Sequence, residues 1–312
     1  MSAAAAPTTP GPASRRWLDT GLAWYFVSVW GSGFVATKIG IQYAAPFTFL
    51  TLRFAFGLLC LLPIVLLVRP AWPKTRTELA HILIAGLLMH AINLSGSHYA
   101  QYLGMSAGIS ALILSAQPLL TAMFASRWMG DALGRRQWCG IALGLAGVGL
   151  VVWHKIDIRA MSTGSLVGAS VALVAITAGT LYQRVFCRHV DLNSSAFLQF
   201  AISIVVLAPL AYAVEGAQVR WAWPMLGAIL FLVVFASILA VNALHTLMRH
   251  GDATKVTSLI YLTPIFAVVF EYLIFGVVPT ALSLAGIALT CVGVAMVTWG
   301  GTTTRAIPEV AD

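Results

Sequence analysis

The sequence predicts an all-α integral membrane protein in which ten transmembrane helices form two inverted five-helix repeats. Three observations predict it. The 312-residue chain is 60% apolar and only 9% charged, against about 25% charged in an ordinary soluble domain. Apolar stretches recur along it at the roughly 20-residue length that crosses a hydrocarbon core of about 30 Å as a helix. The chain also carries a weak copy of itself displaced by 146 residues, and such a period decides the architecture before any local feature does.

At that offset Pro118 meets Pro264, Phe124 meets Phe270 and Gly130 meets Gly276. The run Gly140-Ile141-Ala142-Leu143 falls on Gly286-Ile287-Ala288-Leu289, Gly147-Val148 on Gly293-Val294, Val151 on Val297 and Trp153 on Trp299. Leu52, Phe54 and Ala55 fall on Leu198, Phe200 and Ala201. A duplicated apolar bundle is a recurrent plan for a transporter. Barrel strands are excluded, because they need short alternating segments rather than continuous apolar runs.

Taken in order, residues 1–16 form a cytoplasmic N-terminus, Ala/Pro/Thr-rich up to residue 14 and expected to be disordered. Ser14-Arg15-Arg16 loosely resembles a twin-arginine signal. The apolar run behind it is too long for a cleaved signal, and more spans follow. The first repeat, 17–155, holds spans 19–42, 46–68, 77–101, 107–129 and 136–153. The second, 156–300, holds spans 163–186, 194–213, 222–247, 253–276 and 280–300. Residues 301–312 are a cytoplasmic tail.

Charge sets the orientation. With the N-terminus inside, thirteen Lys and Arg residues lie in or beside internal loops, among them Arg15, Arg16, Arg69, Arg135, Arg136 and Arg305. Only Lys155, Arg159 and Arg220 lie outside. That bias places both termini in the cytoplasm, in a bacterial inner membrane. The net charge of +8 follows from this asymmetry. Dispersed over short loops, it does not point to nucleic acid. Five spans per copy is an odd number, so the second copy enters the membrane in the opposite sense. Two inverted halves can expose a central site alternately to each side.

Pro118 and Pro264 fall near the centres of their spans. Each removes a hydrogen bond and displaces the carbonyl four residues back, that of Leu114 or Ile260. Paired interruptions in corresponding spans point to a midplane site; a packing kink is the competing reading. Polar residues at helical spacing add a second line. His90, Asn93 and Ser97 share one face of the third span. Asn242, His245 and Thr246 lie in the eighth span, with Thr257 and Tyr261 in the ninth. These residues face either a cavity or a neighbouring helix as interhelical hydrogen-bonding groups. Trp24, Trp30 and Tyr182 are candidate aromatic lining, with packing or interface anchoring as the alternative.

Lys38, Arg53 and Glu271 lie roughly 6–10 Å inside the external ends of their helices at about 1.5 Å per residue. Charges at such depth are unfavourable unless paired or hydrated. Glu271 paired with Lys38 or Arg53 would make an external gate or a proton-coupled contact. The alternative is that the long basic chains snorkel to the surface. Gly140-xxx-Gly144, with Gly147 and Gly149, allows close helix approach, within a monomer or at a homodimer contact.

The stretch Trp30-Gly31-Ser32-Gly33-Phe34, then Lys38, Pro46 and Leu52-Arg53-Phe54, resembles the start of EamA-type transporters of the drug/metabolite transporter superfamily. Gln117-Pro118, Gly130-Asp131, Gln137-Trp138-Cys139-Gly140, Thr263-Pro264-Ile265-Phe266-Ala267 and Phe275-Gly276 extend the resemblance over residues 20–300. Two positions depart from it: Val277 stands where many relatives have Glu, and Gln199 stands where the first copy has Arg53. The resemblance implies ten helices and transport of small metabolites, often export of amino acids or drugs.

The four cysteines, Cys60, Cys139, Cys187 and Cys291, are widely separated and suggest neither disulfides nor a metal site. No HExxH, GxSxG, Walker A or dinucleotide fingerprint occurs. The expectation is therefore a non-enzymatic carrier without a cofactor, driven by an ion or substrate gradient. It exports small organic metabolites, with amino acids, aromatic or otherwise neutral, leading. The expected substrate site comprises Trp30, His90, Asn93, Gln117, Pro118, Tyr182, Asn242, Tyr261 and Pro264, and Lys38, Arg53 and Glu271 serve as gate or coupling groups. The alternatives are a multidrug or cationic-compound exporter and a membrane enzyme or assembly subunit. An exposed Glu271 would favour cations, and an exposed Lys38 or Arg53 would favour carboxylates.

Overall fold

The structure, a computed structural model, describes residues 12–128, 133–157, 161–188, 190–240, 243 and 262–298. They form helices α1 Pro12–Gly40, α2 Pro46–Val68, α3 Arg76–Tyr102, α4 Ala107–Trp128 and α5 Arg135–Asp157. These are followed by α6 Thr163–Phe186, α7 Leu192–Glu215, α8 Trp223–Leu239, α9 Thr263–Phe275 and α10 Ala281–Thr298. Six helices, α2 to α7, are long and apolar enough to cross a membrane; α8, α9 and α10 are shorter apolar helices. Large apolar side chains cover the outside, with Leu67 83% and Val205 66% exposed, the arrangement expected of a surface that faces lipid rather than water.

Local chemistry explains the helix ends. Thr75 and Glu78 form a reciprocal capping box at the start of α3. Asp191 accepts from the Asn193 and Ser194 amides at the start of α7. Such caps satisfy amides that the helix itself leaves unpaired. Gly216 (φ 67°) and Gly276 (φ 68°) end α7 and α9 in the left-handed conformation that glycine adopts without strain.

Two features depart from continuous helix. The span over α4 is broken at Ser115–Ala116, and a second piece starts at Gln117. Pro118 therefore lies in the first turn of a new helix, not in the middle of one. Its missing amide needs no partner there and its fixed φ suits that place. Pro264 likewise opens α9. In addition, α3 and α8 contain π-helical stretches at Leu87–Ile92 and Phe231–Leu239, positions that correspond under the offset of 146. Pro63 of α2 and Pro209 of α7 correspond as well.

Equivalent helices of the two copies pack on each other. A Cβ on Gly140 would lie 2.6 Å from the Gly293 carbonyl, and one on Gly147 would lie 2.6 Å from that of Gly286. Gly140 is equivalent to Gly286 and Gly147 to Gly293, so the contact between α5 and α10 is reciprocal. Only glycine permits backbones so close. Phe54 of α2 and its equivalent Phe200 of α7 meet with ring centroids 5.2 Å apart. The small-residue run of α5 is thus used within the chain, although Gly149 has nothing within 4 Å.

Candidate functional site

Glu271 projects from α9 into the protein and is 2% exposed. Three donors converge on it. Lys38 Nζ of α1 lies 2.6 Å from Oε1. The Ala107 amide donates to Oε1 at 2.9 Å and the Gly108 amide to Oε2 at 2.8 Å. These amides open α4, which Ser106 caps by accepting from Ile109 N at 3.2 Å. The carboxylate therefore sits on the positive end of a helix. Sequence explains the close approach: a Cβ on Gly108 would fall 2.4 Å from Val268 Cγ2. On the other side Gly31 of α1 lies against the first turn of α9, where a Cβ would be 2.9 Å from the Thr263 carbonyl. Lys38 Nζ also lies 5.0 Å from the Phe275 ring centroid, a cation–π distance. A cavity of about 100 Å³, lined by Gly104, Ser106, Glu271, Pro279 and Ser283 among others, adjoins the carboxylate.

A second acid, one that no sequence motif marks, plays a parallel part. Glu215, the last residue of α7, accepts from Phe47 N at 2.9 Å, Thr48 N at 2.8 Å, Thr48 Oγ1 at 2.8 Å and Tyr99 OH at 2.5 Å. It thereby caps the start of α2 and ties it to α3. Beside it Ala44 pairs with Val219, and Arg220 donates to the carbonyls of Tyr43 and Gln42. Acids at the ends of two helices thus hold the first turns of two others. The signal in the sequence was a lone acid ending an apolar span, which reads as an interface residue.

Arg53, deeper in α2, makes no ion pair with a carboxylate among the described residues. Its neighbours on α2, Phe49 and Phe54, pack against His98 and His90 of α3 with ring centroids 6.0 and 5.9 Å apart. His98 is 2% and Gln101 4% exposed, yet His98 Nε2 and both amide atoms of Gln101 lack a hydrogen-bond partner among the described residues.

A model described as the EamA-like transporter family matches residues 20–153 and again residues 163–299. The chain belongs to the EamA-like transporter family. This EamA-like chain is 28% identical over 289 residues to the "uncharacterized inner membrane transporter YedA" of Escherichia coli (strain K12), covering 91% of each. It is 27% identical over 280 residues to the "uncharacterized transporter YvbV" of Bacillus subtilis (strain 168), covering 88% of this chain and 89% of that one. A "probable amino-acid metabolite efflux pump" of Salmonella typhimurium (strain LT2) is 24% identical, with 88% and 93% covered. A crystal structure of a protein 16% identical shares the fold with a TM-score of 0.62, over 94% of this chain and all of that one.

Within the EamA-like fold the expected site residues separate into groups. Lys38 and Glu271 meet, while Arg53 stands apart from both. His90, Asn93 and Ser97 do not act as one face, because His90 lies in the π-helical stretch, whose wider turn rotates it relative to the α-helical residues that follow. His90 Nε2 is 3.0 Å from Gln199 Oε1, Asn93 Nδ2 donates to the Met89 carbonyl, and Ser97 Oγ is 3.3 Å from Ser110 Oγ. Gln117 Nε2 reaches Thr180 Oγ1 at 3.1 Å, joining the break in α4 to α6. Tyr182 OH is 2.6 Å from His81 Nδ1, roughly 25 Å along α3 from His98 at about 1.5 Å per residue. Tyr182 is therefore at the opposite end of the bundle from Glu271. Trp30 is 41% exposed and packs beside Phe26. Pro264 is buried against α1. Asn242 and Tyr261, with His245, Thr246, Thr257 and the Gly130-Asp131 turn, lie outside the described residues.

Proposed function

We propose that this protein is a secondary carrier that exports small organic metabolites by alternating access, with neutral amino acids, including aromatic ones, as the leading class. The observation that carries the proposal is the joint of Lys38, Glu271 and the first turn of α4. It locks α1, α9 and α4 together at one end of the bundle. The positive-inside count puts that end outside the cell, so the joint reads as a closed external gate. Its equivalents under the repeat are Arg184 and Ala125, so the same acid–base pair cannot form at the cytoplasmic end. The two ends of the bundle therefore close through different contacts, and the imposed gradient sets the direction of net flux.

Reciprocal packing of α5 on α10 and of α2 on α7 supports two inverted five-helix halves. The relative named an amino-acid metabolite efflux pump supports the substrate class, and YedA, named an inner membrane transporter, supports the location. Glu271 is the coupling group in this reading. A proton reaching it from outside cancels the charge that holds Lys38 and loosens the joint. Cation export is disfavoured, because the Glu271 carboxylate is buried and its charge is already bound by three donors.

Purified protein in liposomes, supplied with single labelled amino acids with and without an imposed pH gradient, tests the proposal. Uphill flux of an amino acid that collapses with the gradient and is lost in Glu271→Gln supports it. Flux of organic cations alone, or none without a second protein, replaces it with a drug exporter or an assembly subunit.

A further inference from the structure

We propose that Arg53 is the anion-binding group of the transport site and takes the substrate's carboxylate, with His98 and Gln101 hydrogen-bonding beside it. The proposal rests on the carrier reading above and names the chemistry of its central site.

The first ground is charge. Among the described residues, Lys38 and Arg53 are the cations well inside the spans, and Lys38 is already neutralised by Glu271. Arg53 has no carboxylate partner among the described residues. A cation within a membrane span is unfavourable unless it is paired or hydrated. Arg53 sits seven residues into α2, about 10 Å from its first residue. Phe49, one turn nearer that end, is 0% exposed.

The second ground is the comparison of the two copies. Gln199, the equivalent of Arg53, is satisfied: Ser195 Oγ is 3.1 Å from its Nε2, and His90 Nε2 is 3.0 Å from its Oε1. At the positions equivalent to Ser195 and His90, the environment of Arg53 has Phe49 and Ala236. Where the second copy pairs a neutral amide, the first places a guanidinium and has apolar residues at the equivalent partner positions.

The third ground is the unpartnered polar ends of His98 and Gln101, both more than nine-tenths buried. The His98 ring packs on Phe49, one turn from Arg53 on α2, with ring centroids 6.0 Å apart, and Gln101 is one turn further along α3. Buried polar groups are almost always hydrogen-bonded, so these ends await a polar ligand. The set of one cation, neutral donors and acceptors, and no acid selects a monoanion. Guanidinium and carboxylate match as a two-point pair. Gln101 Oε1 can accept from an ammonium group on the same molecule. A phosphate dianion would need a second cation, and Lys38 is occupied.

Ligand-induced thermal stabilisation of the purified protein tests this with four probes: phenylalanine, 3-phenylpropionate, phenylalaninamide and phenethylamine, with leucine and leucinamide as a second pair. Wild type is expected to be stabilised by the carboxylates and not by the amide or amine. Arg53→Gln is expected to weaken carboxylate binding about tenfold or more, the loss of one charge-assisted pair, with Arg53→Lys intermediate. Should Arg53→Gln not fold, His98→Ala and Gln101→Leu provide the same comparison. Equal binding of amines and carboxylates by wild type, no carboxylate binding at all, or unchanged affinity in folded Arg53→Gln overturns the proposal. Preference for 3-phenylpropionate over the amino acids supports the Arg53 site while removing the amino-acid reading. Amino-acid binding indifferent to all three positions leaves that reading and removes the site.

Discussion

Replacing Glu271 by Gln is the sharpest test of the joint at the end of α9. The wild-type carboxylate accepts from Lys38 Nζ at 2.6 Å and from two backbone amides at 2.8–2.9 Å. An amide side chain with its oxygen in the Oε1 place keeps the bonds from Lys38 and Ala107 without the carboxylate charge and turns an NH2 group on the Gly108 amide, so one bond is lost and the other two are weakened. A hydrogen bond to a charged group contributes about 1.5–3 kcal/mol in soluble proteins. Interhelical hydrogen bonds in membranes average only about 0.6 kcal/mol. These limits put the loss at about 1–4 kcal/mol. At about 1.4 kcal/mol per tenfold, the closed arrangement should be disfavoured roughly 5- to 1,000-fold relative to the open one. Ser283 lines the cavity next to Glu271 and is 6% exposed. A cysteine introduced there, with the four native cysteines removed, should react slowly with an impermeant maleimide in otherwise wild-type protein. In the Glu271→Gln background the rate should rise by at least the lower of those factors. A change smaller than about twofold in folded protein, together with normal gradient-driven transport, would refute both the gate and its coupling role.

Five further outcomes are expected. Gly293→Ala places a Cβ 2.4 Å from Gly144 N and should lower thermal stability in detergent by about 2 kcal/mol or more. Gly149→Ala, with open space around it, should be neutral or stabilise by up to about 1 kcal/mol. Glu215→Gln should cost about 1–3 kcal/mol through the first turn of α2, and Tyr99→Phe, which removes one of the four donors, about 1 kcal/mol, both read by denaturation. Pro118→Ala and Pro264→Ala should reduce flux per folded molecule more than folded yield; normal flux in both would reduce the paired breaks to packing. Cysteine at Arg220 should be labelled from outside intact cells and cysteine at Arg135 should not.

The amino-acid sequence by itself determined the solvent, the repeat and most of the helices. Twenty-residue apolar runs, positive-inside bias and a periodic copy are each written within a short window or a simple offset. Hydropathy acts on every residue independently of its distant neighbours, so it survives without the fold. The break in α4 was legible too, because a proline's missing amide is a local fact, although its effect was a new helix start at Gln117 rather than a kink.

What tertiary structure alone decided is which charge meets which. Lys38 and Arg53 lay at similar predicted depths, yet only Lys38 reaches Glu271, 233 residues away, because Gly31 lets α1 close on α9. The two backbone amides that share the carboxylate carry no residue signature. The four donors around Glu215 come from α2 and α3, which no local pattern links to the end of α7. His90 lies in a π-helical stretch and meets Gln199 of α7, a change of helix register and a partner that no side-chain spacing encodes. Electrostatic partnership depends on a few ångströms between distant segments, and those ångströms are set by which helices glycine allows to touch.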